Sequence, residues 1–544
     1  MSRTKTGIAT AASLIGALLV SQAHAESGAS ADAEIALLKQ QLKLMEQKLD
    51  RLQNQTAANT SAAARASAKA EDAKASAKAT ATLANANAAI PVKGAIIPPP
   101  AAATVTMPGN RPTICSADGQ NCVSVTGRIH FDGGGYDYHP NSASTAQQRL
   151  DDGVNARRAR IGLAGKFMSD WNFALIYDFG GSSDGFDSTA SFGAAPPAGG
   201  TAIGFLPGGA LSGLENAYLS YTGFKPFGGH LAIEGGVMDL PWVLDEATSS
   251  NDIMFMERAT PGVIAVNMAA GDFRSTFGTR WYNDRLWLGA YATGPTTGAI
   301  HSASSINPNG TTEQFGAVAR AAAQVIDTKD ATLHLGADAQ WLIRPPHNLV
   351  TGAQTLTLSD RPELRIDPST LINTGAMAGV SAAQTYSAEA AATVGSLYLQ
   401  GEYFWFNVER KALVGLPDLK FQGGYAQAGY ILTGETRKYN PGSASYGGVI
   451  PNNPFSLEGG GWGAWEIAGR YSTMNLNDQL GSAAGVAGGQ QNVYTLALNW
   501  YVNRNVRFMF DYLHGNVTKQ AGPTNTADAG SKFDAFAMRT QIAF

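Results

Sequence analysis

From about Val123 to Phe544, bulky apolar residues alternate with small or polar ones. The closing run FDAFAMRTQIAF sets Phe536, Met538, Thr540, Ile542 and Phe544 on one face of a strand, with Ala537, Arg539, Gln541 and Ala543 on the other. Trp171, Phe173, Leu175, Tyr177 and Phe179 alternate in the same way with Asn172, Ala174, Ile176 and Asp178. Tyr494, Leu496, Leu498 and Trp500 do so with Thr495, Ala497 and Asn499, and Val506, Phe508, Phe510 and Tyr512 follow at once. Any one of these strands would suit a soluble sheet lying on a core. The connections argue otherwise. Short turns at 169–170, 283–284, 327–330 and 503–505 alternate with long stretches rich in Gly, Ser, Pro and Asn at 180–213, 293–314 and 344–384. Aromatic residues gather at strand ends, as an interfacial girdle requires. The fold expected is all-β, a transmembrane antiparallel β-barrel of about 16 strands over residues 123–544. The alternation of short and long connections fails between 408 and 461, which leaves the count open by about two strands.

The region before the barrel reads differently. Arg3 and Lys5 precede an apolar stretch from Gly7 to Val20, and AHA at 23–25 gives a small-x-small cleavage pattern, so residues 1–25 read as a signal peptide. That apolar stretch is too short to span a bilayer. Ile35, Leu38, Leu42, Met45, Leu49 and Leu52 are spaced alternately three and four apart, which predicts a short N-terminal α-helical coiled coil over 26–56. Residues 57–122 form an Ala/Pro-rich linker that carries a cysteine pair. In an exported chain, Cys115 and Cys122 in CSADGQNC are expected to form a disulfide across a tight turn.

Sixty-two glycines and 15% charged residues suit long strands and many turns. A net charge of −4 argues against nucleic-acid binding. The eight histidines show no metal-ligand spacing, and no metal or cofactor is expected. GSSDG at 181–185 fits a nucleophile-elbow pattern, but no helix follows it, so Ser183 is not assigned a catalytic role. No enzyme is expected; an outer-membrane hydrolase is the enzymatic rival.

Alternation also assigns the lumen. With Ile161, Leu163 and Phe167 facing lipid, Arg158, Arg160 and Lys166 turn inward. With Phe273, Phe277 and Trp281 outward, Arg274 and Arg280 line the lumen, and Arg470 and Arg539 join them on their own strands. Guanidinium rows offer forked donors to phosphate oxygens. The same parity sends Glu234, Glu402, Glu466 and Asp511 inward, so facing rows of both signs around a general wet pore are the alternative. His334 reads as a solvated wall residue. The stretch 239–261, containing PWVLDEATSSND, is a candidate for a loop that folds inward and narrows the pore.

The runs RRARIGLAGKFMSDWNFALIYDFG (157–180), TSSNDIMFMERATP (248–261), YILTGETRKY (430–439), WEIAGRYS (465–472) and LNWYVNRNVRFMFDY (498–512) resemble the phosphate-selective porin O and P family. The resemblance covers roughly 123–544. It implies a homotrimer of sixteen-stranded barrels in the bacterial outer membrane, surrounded by lipid, with a coiled coil in some members and an assembly signal in a last strand ending in Phe. It further implies passive movement of small hydrophilic solutes, with phosphate or other anions drawn to a basic ladder whose motif the pair at 157 and 158 matches best. A coiled coil reaching peptidoglycan, with the barrel as a structural tether, is the second reading of the whole chain.

Overall fold

This computed structural model describes residue 43 and residues 103–145, 149–180, 213–268, 273–295, 312–347 and 352–544. The signal peptide, the coiled-coil segment apart from Lys43, most of the linker and Ser183 lie outside the described residues. The alternating segments form the wall strands β1 (Cys122–Pro140), β2 (Gly153–Phe167), β3 (Trp171–Asp178), β4 (Leu214–Phe224), β5 (His230–Asp239), β6 (Phe273–Tyr282), β7 (Leu286–Thr293) and β8 (Phe315–Asp327). The ring continues through β9 (Ala331–Arg344), β10 (Ala382–Val394), β11 (Leu397–Glu409), β12 (Leu419–Ile431), β13 (Ala464–Asp478), β14 (Val486–Tyr501), β15 (Val506–Thr518) and β16 (Gly530–Ala543). Each strand pairs antiparallel with the next, and β16 returns to β1 with Ile542 opposite Ile129 and Phe536 opposite Gly135. Closure pairs every wall strand on both sides and satisfies the backbone within lipid. Among the described residues no helix is long and apolar enough to cross a membrane.

The outer face is the apolar one. Ile161, Phe277, Phe536 and Met538 are exposed there, while Ala537 and Arg539 are buried toward the lumen. Trp465, Trp500 and Phe508 stack near the short-turn end, and Tyr471 with Tyr494 and Tyr512 with Phe536 pair higher on the wall. Aromatic belts at two heights frame the apolar band. The carboxy-terminal Phe544 closes the seam: its backbone exchanges hydrogen bonds with Gly127. Its ring lies where a Cβ at Gly127 would come within 2.8 Å, so a larger residue there would have to displace the ring.

Cys115 and Cys122 are joined as a disulfide. The turn that they close receives the backbone N–H of Ser169 on Gln120 O and that of Met168 on Asn121 Oδ1, so it braces the β2–β3 turn. Residues Thr104–Thr106 and Thr113–Cys115 add a short hairpin to the start of β1, so the end of the region read as linker is sheet.

The break in parity has a physical cause. The connection 410–418 at the long-loop end is short, whereas 432–463 at the short-turn end is long because it folds back into the barrel. Ala444, Ser445 and Tyr446 of that connection are buried. A second irregularity lies where β1 meets β2. His130 pairs with Arg158 and Asp132 with Asn155, so β2 carries an extra residue at this point. The bulge turns both Arg157 and Arg158 away from lipid, against strict alternation.

Candidate functional site

The connection between β5 and β6 turns into the barrel. Its sequence, broken by Pro241 and Pro261 and by TSSND, cannot run on as a strand. Among its described residues it forms two short helices, α1 (Leu244–Ala247) and α2 (Thr260–Asn267). Leu244, Met254, Phe255, Met256 and Ile264 are buried, and the wall supplies the hydrogen bonds that an inward backbone needs. Glu402 on β11 accepts from the N–H groups of Leu244 at 2.8 Å and Asp245 at 3.0 Å, and Asp511 on β15 accepts from Met256 at 2.8 Å. Asn499 and Arg507 donate to Met254 O and Ile253 O. The stretch 239–261 therefore lies inside the lumen, and the inward path continues to Met268.

Glu257 sits where this loop meets the arginines. Arg157 grips its carboxylate through Nε at 2.7 Å and Nη2 at 3.0 Å. Arg539 reaches the same carboxylate at 2.7 Å while forking onto Asp132, with both of those contacts also at 2.7 Å. Arg365, from the connection between β9 and β10, lies 3.8 Å from Glu257 and 3.3 Å from Asp360. Burial pushes the Glu257 carboxyl up, but the guanidiniums of Arg157, Arg539 and Arg158 outweigh it and hold the group well below the usual carboxylate range. Arg157, Arg158, Arg365 and Arg539 thus gather with Asp132, Glu257 and Asp360 where the loop crosses the lumen.

The other residues singled out from the sequence are spread around the wall. Arg160 pairs with Asp178 at 2.9 Å and Glu215 at 3.0 Å. Arg274 donates to Gln340 at 2.8 Å and to Val266 O, holding the far end of the inward loop. Arg280 meets Glu234 at 3.1 Å. Arg470 donates to Glu257 O at 2.8 Å and pairs with Glu363 at 2.6 Å. Lys166 is half-buried near the short-turn end, level with Cys122 and Asn172, and stands apart from the arginines at Glu257. Glu234, Glu402, Glu466 and Asp511 are all buried on the lumen side.

Two expectations need correction. His334 is fully buried rather than solvated: it lies 2.8 Å from Glu389 and 3.1 Å from the hydroxyl of Tyr439, because the connection 432–463 fills the space beside it. Phe273 does not face lipid. It is 7% exposed, and the Arg160 guanidinium lies 5.0 Å from its ring. It opens β6 opposite Asp239, with its ring beside Arg160 on the lumen side.

Alternation alone would have found Arg128, which donates to Ser250 at 2.6 Å, and Arg507, since each stands between outward apolar residues. Arg320 gave no such signal, because its neighbours on β8 are alanines on both faces. It holds three elements together, donating to Pro241 O of the inward loop at 3.1 Å, to Ser443 O and Ala444 O of the 432–463 connection at 2.8 Å each, and to Glu389 at 2.8 Å. Asp338, Glu389 and Glu402 gather within 4.8 Å of one another. Arg320 faces two of these carboxylates, and backbone N–H groups of the loop occupy Asp338 and Glu402, so the cluster serves as an anchor for the loop.

A family model described as phosphate-selective porin O and P matches residues 123–544. A protein called Porin O from Pseudomonas aeruginosa is 24% identical over 464 residues, covering 79% of this chain and 90% of that protein. An uncharacterised protein from Caulobacter vibrioides is 35% identical over 213 residues, 39% of each chain. Among solved structures, an anion-selective porin from Comamonas acidovorans superposes with a TM-score of 0.40 at 13% identity, covering 78% of this chain and 99% of that one.

Proposed function

Because the chain belongs to the phosphate-selective porin O and P family and is a porin of the bacterial outer membrane, we propose that its pore passes small hydrophilic solutes with a preference for anions, phosphate among them. The observation that carries this reading is the gathering of Arg157, Arg158, Arg365 and Arg539 where the inward loop crosses the lumen at Glu257. A fixed positive charge beside a narrowed, partly desolvated passage raises the local concentration of anions. Guanidinium forks replace part of an oxyanion's hydration shell without holding it irreversibly. Movement down a gradient needs no bond making, so the residues act by charge and shape alone. The working unit in this reading is a homotrimer of barrels.

The direct test is block of chloride current by phosphate in a planar bilayer. We expect wild-type current to fall as phosphate is added, and Arg158→Ala to raise the half-blocking concentration by about tenfold, the equivalent of one charge-assisted hydrogen bond. An absence of block in the wild type would refute phosphate selection.

A second reading is favoured by a different observation. Arg160, Arg320, Arg437 and Arg539 each hold a carboxylate, so these arginines are spent on the scaffold. On that reading the pore is a general one, with its charges arranged to stiffen the wall and fix the loop.

A further inference from the structure

The outer surface above the aromatic belt differs sharply around the barrel. On the β10–β12 side, two rows of directly opposed residues stand one above the other near the long-loop end. Tyr386, Trp405 and Gln422 form the lower row, and Gln384, Asn407 and Lys420 the upper. They line a groove of about 650 Å³ that extends to β13, with Asp478 at its edge. Their parity is that of Leu399 and Tyr430, which face lipid, so the groove opens outward and not into the pore. Tyr386 and Trp405 are nearly half exposed. Asn407 donates to Gln384 at 2.7 Å and Gln384 to Glu409 at 3.0 Å, so the two amides are fixed in a relay that leaves each with further hydrogen-bonding capacity. The Asp478 carboxylate is taken up by the backbone N–H of Lys420 at 2.8 Å. The Lys420 ammonium is exposed and makes no ion pair among the described residues. Farther round the wall, at β16 and β1, the outward pair at a comparable height is Asp534 across from Asp137, with His514 and His139 beside them.

We propose that this groove is the docking site for a phosphorylated, acylated saccharide lipid of the outer leaflet. The match is chemical. Fixed amides suit sugar hydroxyls, the Trp405 and Tyr386 faces suit the boundary between sugar and acyl chain, and an unpaired ammonium suits a phosphate. Its height fits as well, just above the aromatic belt where headgroups lie. Below it the outward residues of β10 are Ala388, Ala390 and Ala392, a smooth strip against which acyl chains can pack. The site lies on the outside of the wall and does not depend on what the pore selects.

The test uses the purified full chain in detergent with bis-phosphorylated hexa-acyl lipid A, and reads bound lipid by native mass spectrometry. Wild-type protein is expected to retain this lipid over phosphatidylglycerol. Lys420→Glu, an exposed change that leaves the barrel and its conductance intact, should lower the affinity by about tenfold. Trp405→Leu keeps the apolar band and should also weaken binding, and lipid A lacking phosphates should bind wild type and Lys420→Glu alike. Equal retention of lipid A by wild type and Lys420→Glu would overturn the assignment. So would equal retention of phosphatidylglycerol by the wild type, which would show only general anionic lipid contact.

Discussion

Replacing Glu257 with alanine is expected to free the inward loop and raise single-channel conductance, with larger current fluctuations. The carboxylate binds Arg157 and Arg539 at 2.7 Å each and has Arg365 nearby, at a place where Arg157 and Arg539 are fully buried. Removing one partner of a buried pair costs about 3–5 kcal/mol, because the remaining charge keeps its desolvation penalty. Asp132 still holds Arg539, so the wall should survive while the loop loosens. The same grip fixes a pH dependence. The carboxyl is held well below 4.5 in the folded protein, so its contribution is complete above 4.5 and is lost only as pH falls through the lower folded value. The grip of Glu257 itself should therefore hold from neutrality past pH 4.5 and loosen only under stronger acid, so the difference between wild type and Glu257→Ala should persist down to that range. A Glu257→Ala channel indistinguishable from wild type in conductance and noise would show that the loop is held elsewhere.

The second large effect concerns the opposite face of the wall. Ile161→Arg should sharply reduce folding into lipid vesicles, because its side chain is 51% exposed on the lipid side of β2. A cation at that depth costs ~2–4 kcal/mol near the bilayer midplane. Neighbouring Arg160 faces the other way and finds Asp178 and Glu215, so two adjacent positions carry opposite requirements. Folding yield followed by the heat-dependent gel shift measures the difference. Normal yield for Ile161→Arg would mean that the facing of β2 is reversed.

The wall was legible in the sequence because lipid and water impose a period of two on every strand that has one of each on its faces. That was enough to send Arg158, Arg160, Arg470 and Arg539 inward and Ile161 and Phe536 outward. It failed where the period is broken or silent. The bulge beside His130 hides Arg157, the best-placed partner of Glu257, behind a one-residue slip. The alanines of β8 give Arg320 no contrast. Residues 432–463 look like an outer loop, since a chain folding into a wet lumen has the same polar, glycine-rich composition as one facing solvent. What each inward arginine touches was beyond the pattern altogether. Some partners come from segments more than 100 residues away, such as Glu363 for Arg470 and Asp132 for Arg539.

Whether this constellation selects anions is tested most directly by the reversal potential of the purified protein in a planar bilayer under a potassium chloride gradient. The gathering of guanidiniums beside the inward loop predicts a potential displaced toward the chloride equilibrium value. A potential near zero or displaced toward potassium would contradict it, and would leave the arginines as braces of a general pore.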